Sequence, residues 1–302
     1  MPKNKRLLGL SLIGLAVLAL LVVCSILFLN STAGQNFLTS YPGYTQLPSG
    51  TPEGFPAWLG WQHFFNFFLM ALIIRTGIRV RTVQRPEAYW TPKPRKKRGS
   101  RGTKPGKKIS IDLWLHLVLD VLWVLNGLIF IILLFATGHW KRIVPTSWEI
   151  FPNALSAAMQ YLSFSWPNID AWFNYNSLQL LSYFLIVFIA SPLAILTGLR
   201  TSEFWPKDAE ALNRIYPMQL ARAVHWPTMI FFVAFIVIHV VLVLIPDAKT
   251  NLAYMFAGTS EQTWLGVWLT IAAVAVTVGA VLAARGPLIA PLARLSGKVT
   301  RK

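Results

Sequence analysis

The chain has 302 residues, of which 55% are hydrophobic and only 13% charged, and its mean hydropathy is +0.52. This balance excludes an ordinary soluble domain, whose surface needs more charge. The net charge of +17 would suggest nucleic acid in a soluble protein, but here the basic residues lie between long apolar runs, which indicates membrane topology and no nucleic-acid partner. The single cysteine, Cys24, excludes an internal disulfide, an iron–sulfur cluster and a cysteine-based zinc site.

Six stretches are apolar over the roughly 20 residues that a helix needs to cross a bilayer. They are an N-terminal span at 7–29 and five further spans, A to E, at 57–78, 113–136, 178–199, 223–245 and 263–284. We expect an all-α integral membrane protein with six transmembrane helices, in which A to D form a four-helix bundle.

The N-terminal span follows Lys3, Lys5 and Arg6, so it is either a signal peptide cleaved after Ala33 or a retained anchor. Its apolar run is longer than the usual core of a signal peptide. We therefore predict a retained anchor over 1–30.

The positive charges predict the orientation of the spans. With the N-terminus inside, the inner segments hold 25 of the 28 Lys and Arg residues, and 13 of these lie between Arg75 and Lys108. Cytoplasmic segments carry such an excess, so both termini are expected in the cytoplasm.

The spans also divide the chain into predicted domains. These are the anchor at 1–30, an outer loop at 31–56, a core at 57–245 and a C-terminal helix with a basic tail at 263–302. The core contains a basic cytoplasmic loop at 79–111 and an outer loop at 138–177. Within the basic loop, Thr91 to Lys108 is rich in Gly, Pro and Lys and is predicted to be flexible. It either lies on anionic lipid as a topology determinant or binds an acidic partner.

Four of the five histidines fall inside spans, where an ionisable side chain indicates function. His63 lies near the outer end of helix A, and His116 lies near the inner end of helix B. Helix D carries His225 near its inner end and His239 near its outer end. The depths therefore predict two pairs, His63 with His239 and His116 with His225.

The spacing on helix D suits two stacked cofactors. Fourteen residues separate His225 from His239, which corresponds to a rise of about 21 Å along the helix. The two side chains then point within roughly 40° of the same direction around the helix axis. Two imidazoles that face each other across a bundle hold a haem iron at both axial positions, so two b-type haems are predicted. Zinc or copper would need three or four ligands at one depth. Structural histidines remain the alternative.

Other polar residues lie near these histidines in the sequence, and most of them have two possible roles. Arg222, Arg75 and Arg79 either pair with haem propionates or anchor the span ends. Asp120, one turn beyond His116, is either a hydrogen-bonding partner of an imidazole or a proton relay. His139 follows helix B and is read as an interfacial residue.

The histidine pattern resembles the cytochrome b subunits of formate dehydrogenases, and more widely the bacterial cytochrome b561 and nickel–iron hydrogenase cytochrome b family. The resemblance covers about residues 55–245 and includes the four histidines and the Thr-Gly steps Thr137-Gly138 and Thr197-Gly198. It implies that the four histidines ligate two haems b, paired as above.

A second stretch extends the resemblance to a quinone site. Tyr175-Asn176-Ser177-Leu178-Gln179 is similar to the family segment Tyr-Asn-x-Gly-Gln. The resemblance implies that Asn176 and His239 contact a quinone, either menaquinone or ubiquinone. This chain has Leu178 where the family has Gly. Its extra N-terminal span also turns the bundle over, which would place the quinone pocket on the outer side.

The leading expectation is an electron-transfer subunit that links a quinone pool to a separate molybdenum or iron–sulfur redox subunit. Because the chain shows no molybdopterin or nicotinamide site, substrate chemistry is expected in that partner. Two alternatives remain open. One is a stand-alone b561-type oxidoreductase with a small acceptor, and the other is a haem-free transporter or scaffold.

Overall fold

A computed structural model of the protein describes residues 3–93, 95–96, 103–104, 106–202, 204–206 and 208–301. The α-helices, in chain order, are α1 (Lys3–Leu29), α2 (Thr32–Ser40), α3 (Ala57–Thr82), α4 (Ile111–Ala136), α5 (Ile150–Leu162), α6 (Ser177–Phe184), α7 (Ser191–Thr201), α8 (Glu210–Ile215), α9 (Met218–Leu252), α10 (Leu265–Ala283) and α11 (Gly286–Ser296). The strands are β1 (Ala88–Pro92), β2 (Arg95–Lys96), β3 (Thr103–Lys104), β4 (Ile109–Ser110) and β5 (Gly297–Arg301). A 3₁₀ turn covers His139–Arg142, and π-helical segments cover Leu185–Ala190 and Ala253–Ala257.

Six helical stretches of the described chain are long and apolar enough to cross a membrane, judged by length and composition. They are Leu8–Leu29, Ala57–Thr82, Ile111–Ala136, Ser177–Thr201, Met218–Ala257 and Leu265–Ala283. The prediction of an all-α membrane protein with six spans is confirmed.

The fifth span differs most from its predicted range of 223–245. It begins at Met218 and continues through a π-helical segment to Ala257. Pro246 lacks the N–H that a regular helix requires, and Asp247 after it has the non-helical angles φ −158° and ψ 83°. The helix resumes after this kink, so the span is longer than its apolar core.

The chain contacts divide the protein into two compact units. The first comprises residues 1–54 and 134–193, and the second comprises 55–133 and 194–302. The domains predicted above follow the spans rather than these contacts, and they stay a prediction.

In the first unit, the buried Arg142 ties the 3₁₀ turn to two other loops. Its Nη1 donates to the carbonyl oxygen of Gly54 at 2.6 Å, and its Nη2 donates to that of Ala171 at 2.6 Å. The guanidinium also lies 4.6 Å from the ring centre of Tyr175. A buried cation needs such partners, and here main-chain carbonyls and an aromatic face supply them. The outer loop predicted at 138–177 therefore has a defined structure, which includes α5.

In the second unit, a small antiparallel sheet joins the basic segment after α3 to the end of the chain. β1 pairs with β4, where Tyr89 lies opposite Ser110, and with β5, where Trp90 lies opposite Val299. The Trp90 indole N–H donates to the carbonyl oxygen of Ala293 at 3.0 Å. This sheet was not predicted, because β1 and β5 are two hundred residues apart and each is short.

The sheet corrects part of the predicted flexible loop. Thr91 and Pro92 belong to β1, and Arg95–Lys96 pairs with Thr103–Lys104. Residues 94, 97–102 and 105 of that segment lie outside the described residues.

The sheet and α11 pack on the apolar ends of α3 and α4. The buried residues that form this core are Leu69, Leu72, Ala88, Ile111, Leu119, Ala284, Ile289 and Ala293. Beside it, Arg79 Nε lies 2.6 Å from Asp112 Oδ1, an ion pair whose carboxylate is buried. These contacts stabilise the helix ends on the side where the basic residues concentrate.

Replacing Gly297 by Ala should loosen the C-terminal strand. A Cβ at this position would collide with the carbonyl oxygen of Thr91 and the indole nitrogen of Trp90. Such overpacking costs about 1–3 kcal/mol, so trypsin should release the tail at least about fivefold faster. Mass spectrometry of the released peptides measures this rate. The control is Gly279→Ala in α10, where a Cβ meets nothing within 4 Å; equal rates for both variants would contradict the prediction.

Candidate functional site

The four intramembrane histidines all belong to the second unit. His63 lies in the second turn of α3, and His116 in the second turn of α4. His225 and His239 lie on α9, which is continuous between them. The structure groups the four side chains in the two pairs that their depths predict, as the following contacts show.

His63 and His239 face each other near the start of α3. Their ring centres are 6.2 Å apart, with an angle of 50° between the ring planes. Phe235 stacks on His239 at 5.6 Å, and Phe256 meets His63 edge-on at 5.6 Å. The Nδ1 atom of His63 is buried and has no hydrogen-bond partner among the described residues.

His116 and His225 line a common cleft. The residues around it are Leu113, His116, Leu117, Asp120, Gly198, Thr201, Ser202 and His225. One wall is therefore α4, another is α9, and the third is the end of α7. On the α4 side, Leu113 and Leu117 are apolar, and Asp120 Oδ2 lies 3.7 Å from His116 Nε2.

Each histidine of this cleft is held by a threonine on the preceding membrane span. Thr76 Oγ1 of α3 lies 2.9 Å from His116 Nδ1. Thr197 Oγ1 of α7 lies 2.9 Å from His225 Nδ1. Both threonines are buried, at 0% and 1% exposure. The two Nδ1 atoms are thus engaged, which leaves the Nε2 atoms for a ligand in the cleft.

A glycine follows each threonine and lets the helices approach. A Cβ on Gly77 would lie 3.3 Å from His116 Cε1, and one on Gly198 would lie 3.6 Å from His225 Cε1. The contact at Gly77 would be tighter than an ordinary van der Waals contact, whereas at Gly198 a Cβ would make an ordinary contact with the ring. The Thr-Gly step therefore places a hydroxyl beside each imidazole and leaves room for the ring.

These residues fit a haem with two axial imidazoles. A metal–imidazole bond is about 2.0 Å long, so two rings bound on opposite sides of one metal ion have their centres about 6 Å apart, close to the separation of His63 and His239. In the part of the chain that the structure describes, no three His, Cys, Asp or Glu side chains come together to hold a metal ion. Two imidazoles complete the coordination only if a macrocycle supplies the other ligands.

A family model described as prokaryotic cytochrome b561 matches residues 54–258, about two thirds of the chain and all four histidines. The chain belongs to the prokaryotic cytochrome b561 family. The resemblance inferred from the histidine pattern is confirmed at this level, and with it a role in membrane electron transfer through haem b. No curated protein and no solved structure shows significant similarity to the chain.

The structure gives the predicted arginines different surroundings. Arg79 pairs with Asp112, which favours its reading as an anchor at the end of the span. Arg75 has a buried Nη1 without a hydrogen-bond partner among the described residues, so it is available to an anionic group. Arg222 is exposed, one turn before His225 on α9.

Asp120 does not hold an imidazole by Nδ1, because Thr76 occupies that position on His116. Its carboxylate instead lines the cleft on the Nε2 side. His139 lies outside the spans, with its Nδ1 2.9 Å from Thr137 Oγ1. Burial and the nearby Arg142 lower the pKa of His139, so it is neutral at pH 7.

Asn176 belongs to the first unit, where it caps α6. Its Oδ1 accepts from the Gln179 N–H at 2.9 Å, and its Nδ2 donates to Tyr161 Oη at 2.8 Å. The Asn176 N–H in turn donates to Gln179 Oε1 at 3.2 Å, which completes a capping box. The Tyr-Asn-Ser-Leu-Gln segment therefore has a helix-capping role that the sequence reading missed, although its Asn-x-x-Gln spacing is a capping signal.

Sequence reasoning also missed Thr76 and the role of Thr197. The sequence does contain a signal, because each threonine is followed by a glycine inside a span. The next span along the chain carries the histidine that the threonine contacts. Nothing in the spacing shows which ring nitrogen they touch, which is a tertiary fact.

Replacing Gly77 by Val should displace the His116 ring, because the added methyl groups would occupy space next to Cε1. We expect haem binding at the His116–His225 pair to weaken roughly 10–100-fold. The measurement is the haem absorbance per polypeptide after purification in detergent. Gly127→Val on α4, where a Cβ meets nothing within 4 Å, should keep the normal absorbance; a normal absorbance in Gly77→Val as well would contradict the prediction.

Proposed function

We propose that the chain is a membrane electron-transfer subunit that passes electrons through two b-type haems between a quinone pool and a separate redox subunit. The observation that carries this proposal is the presence of two imidazole pairs in one helical unit. A chain that held one cofactor would need only one pair. Two pairs separated along α9 suit transfer across the thickness of a membrane.

In this proposal His63 and His239 bind one haem iron, and His116 and His225 bind the other. A haem supplies reversible storage of one electron. The protein sets the separation, because His225 and His239 are 14 residues apart on one continuous helix, a rise of about 21 Å. Aromatic side chains fill the level between them, where Trp123 of α4 meets Phe232 of α9 at 6.3 Å.

The propionate groups of a haem need cations or hydrogen-bond donors. Arg75, with its buried unpartnered Nη1, supports this role on α3. Arg222 stays a proposed propionate partner on the strength of its position before His225. Arg79 is assigned to Asp112 and is left out of this set.

The proposed quinone contacts are Asn176 and His239, as the family resemblance implies. In the structure Asn176 is only 2% exposed, and Tyr161 accepts a hydrogen bond from its amide. Burial raises the pKa of the Tyr161 hydroxyl, so it stays protonated at neutral pH. A quinone carbonyl that binds the Asn176 amide would therefore take the place of the Tyr161 hydroxyl oxygen.

The proposed partner is a molybdenum or iron–sulfur subunit, and the proposed location is the bacterial cytoplasmic membrane with both termini inside. Thirteen basic residues between Arg75 and Lys108 support a docking surface for an acidic protein on that side. Part of this segment is held in the sheet with the C-terminal strand, which gives the surface a fixed attachment. Co-purification of a redox protein would separate this function from that of a stand-alone oxidoreductase.

Haem stoichiometry tests the assignment of the two pairs. Alanine at any one of His63, His239, His116 or His225 should lower the content from about two haems per chain to about one, because each haem needs both of its axial ligands. Alanine at one histidine of each pair should remove both. Pyridine haemochrome spectra give the content, and size-exclusion chromatography shows that the variants are folded.

The matched control is His139→Gln, a change at the histidine outside the spans, which should keep both haems. Full haem content in any of the four alanine variants would contradict the assignment. A haem-free wild-type chain after purification and reconstitution would end the electron-transfer proposal and favour a transporter or scaffold.

The quinone contact is tested by Asn176→Asp. Aspartate caps a helix as well as asparagine does, but it lacks the amide donor. Loss of one hydrogen bond to the quinol should slow haem reduction by a quinol analogue about fivefold, as followed by stopped-flow absorbance. Tyr161→Phe frees the Asn176 amide and should not slow this step. An equal slowing in both variants would indicate that Asn176 acts only through the helix cap.

A further inference from the structure

The two histidines of the cleft share a hydrogen-bond arrangement, in which a buried threonine hydroxyl lies 2.9 Å from Nδ1 of each ring. A threonine hydroxyl has one proton to donate. Thr76 Oγ1 lies 2.8 Å from the Leu72 carbonyl oxygen, and Thr197 Oγ1 lies 3.1 Å from the Ala194 carbonyl oxygen. A hydroxyl that donates to its own helix keeps its oxygen lone pairs for the N–H of the histidine.

In that arrangement His116 and His225 donate through Nδ1–H, which leaves both Nε2 lone pairs to bind a metal. An imidazole that donates its second N–H becomes a more basic ligand. A more basic axial ligand stabilises the oxidised iron and lowers the reduction potential, since hydrogen bonds next to the ligands are one of the controls of haem potential.

The other pair differs in this respect. His63 Nδ1 is buried and has no hydrogen-bond partner among the described residues. Its surroundings are aromatic, with Phe67 and Phe256 edge-on to the ring. His63 therefore lacks the hydrogen bond at Nδ1 that His116 and His225 both have.

We propose that Thr76 and Thr197 are positioning residues which make the haem of the His116–His225 pair the lower-potential one of the two. This inference rests on the proposed function, because it presupposes a haem at each pair. An electron that arrives at the His116–His225 pair then passes downhill to the His63–His239 pair. With a haem held at each pair, one electron would leave one iron and enter the other, and no bond would form or break.

The proposal gives the chain a preferred direction. Electrons enter at the end of the bundle that carries the sheet and the basic segment, where α4 begins, and leave at the end where α3 begins. The direction follows from two buried hydroxyl groups and does not depend on which side of the membrane each end faces.

The test replaces the threonines by valine, which has nearly the same shape and cannot accept a hydrogen bond. Thr76→Val and Thr197→Val are purified as haem-loaded full chains, and optical redox titration gives the two midpoint potentials. We expect each change to raise the lower potential, by about tenfold in the reduction equilibrium or about 59 mV for a one-electron couple. The higher potential should stay as it is in the unaltered chain.

Two further sets of variants control the experiment. Thr277→Val on α10 removes a buried hydroxyl that bonds only to its own helix, at 2.8 Å from the Ala273 carbonyl oxygen, and should leave both potentials unchanged. Thr76→Ser and Thr197→Ser keep a hydroxyl, so the lower potential should stay at its value in the unaltered chain. The titration of His225→Ala, which is expected to retain only the higher-potential haem, assigns the two values.

The outcomes separate this inference from the proposed function. If the unaltered chain shows two haem potentials but the valine variants shift neither of them, or shift the higher one, the role of the threonines is wrong and the two-haem function stands. If His225→Ala retains the lower potential, the proposed order of the haems is wrong. A chain that shows a single haem contradicts the proposed function itself.

Discussion

The absence of water within a bilayer is the constraint on which this structure depends. Hydrocarbon offers a polar group nothing to bond with, so the backbone of every span is helical and each imidazole within a span needs partners from the protein. His116 and His225 obtain theirs from threonine hydroxyls, which in turn bond to main-chain carbonyls of their own helices. Among the described residues, His63 Nδ1 and Arg75 Nη1 are buried without a hydrogen-bond partner, and both lie on the helix α3.

The Thr-Gly step solves two problems at the same position. The hydroxyl orients the imidazole, and the missing side chain of the next residue gives the ring room against the helix. It occurs on α3 for the histidine of α4, and on α7 for the histidine of α9. The same local arrangement thus holds both imidazoles of one pair. The His63–His239 pair relies on aromatic packing instead, so the two sites of one bundle are chemically different.

Outside the histidine-bearing helices, each unit uses a few buried polar groups to hold irregular chain. Arg142 collects carbonyl oxygens from two loops in the first unit, and the Asn176–Gln179 box begins α6. In the second unit, β1 pairs with β4 on one side and with β5 on the other, so that the segment after α3 and the end of the chain form one sheet. These attachments keep the ends of the spans ordered without placing charge in the hydrocarbon.

Composition and spacing alone determine much of this protein. Long apolar runs can only be membrane helices, and histidines at two depths on helix D and one depth each on A and B can only pair in one way, because the rise per residue of a helix is constant. The six spans and the cytochrome b family follow from these regularities.

The remaining features needed the tertiary structure because they depend on side chains that are far apart in the chain. Forty residues separate Thr76 from His116, and two hundred separate Trp90 from Ala293. No local pattern shows that a hydroxyl will reach Nδ1, or that Arg79 will bind Asp112. Helix periodicity decides the depth of each histidine, but only packing decides which of its two ring nitrogens meets another side chain.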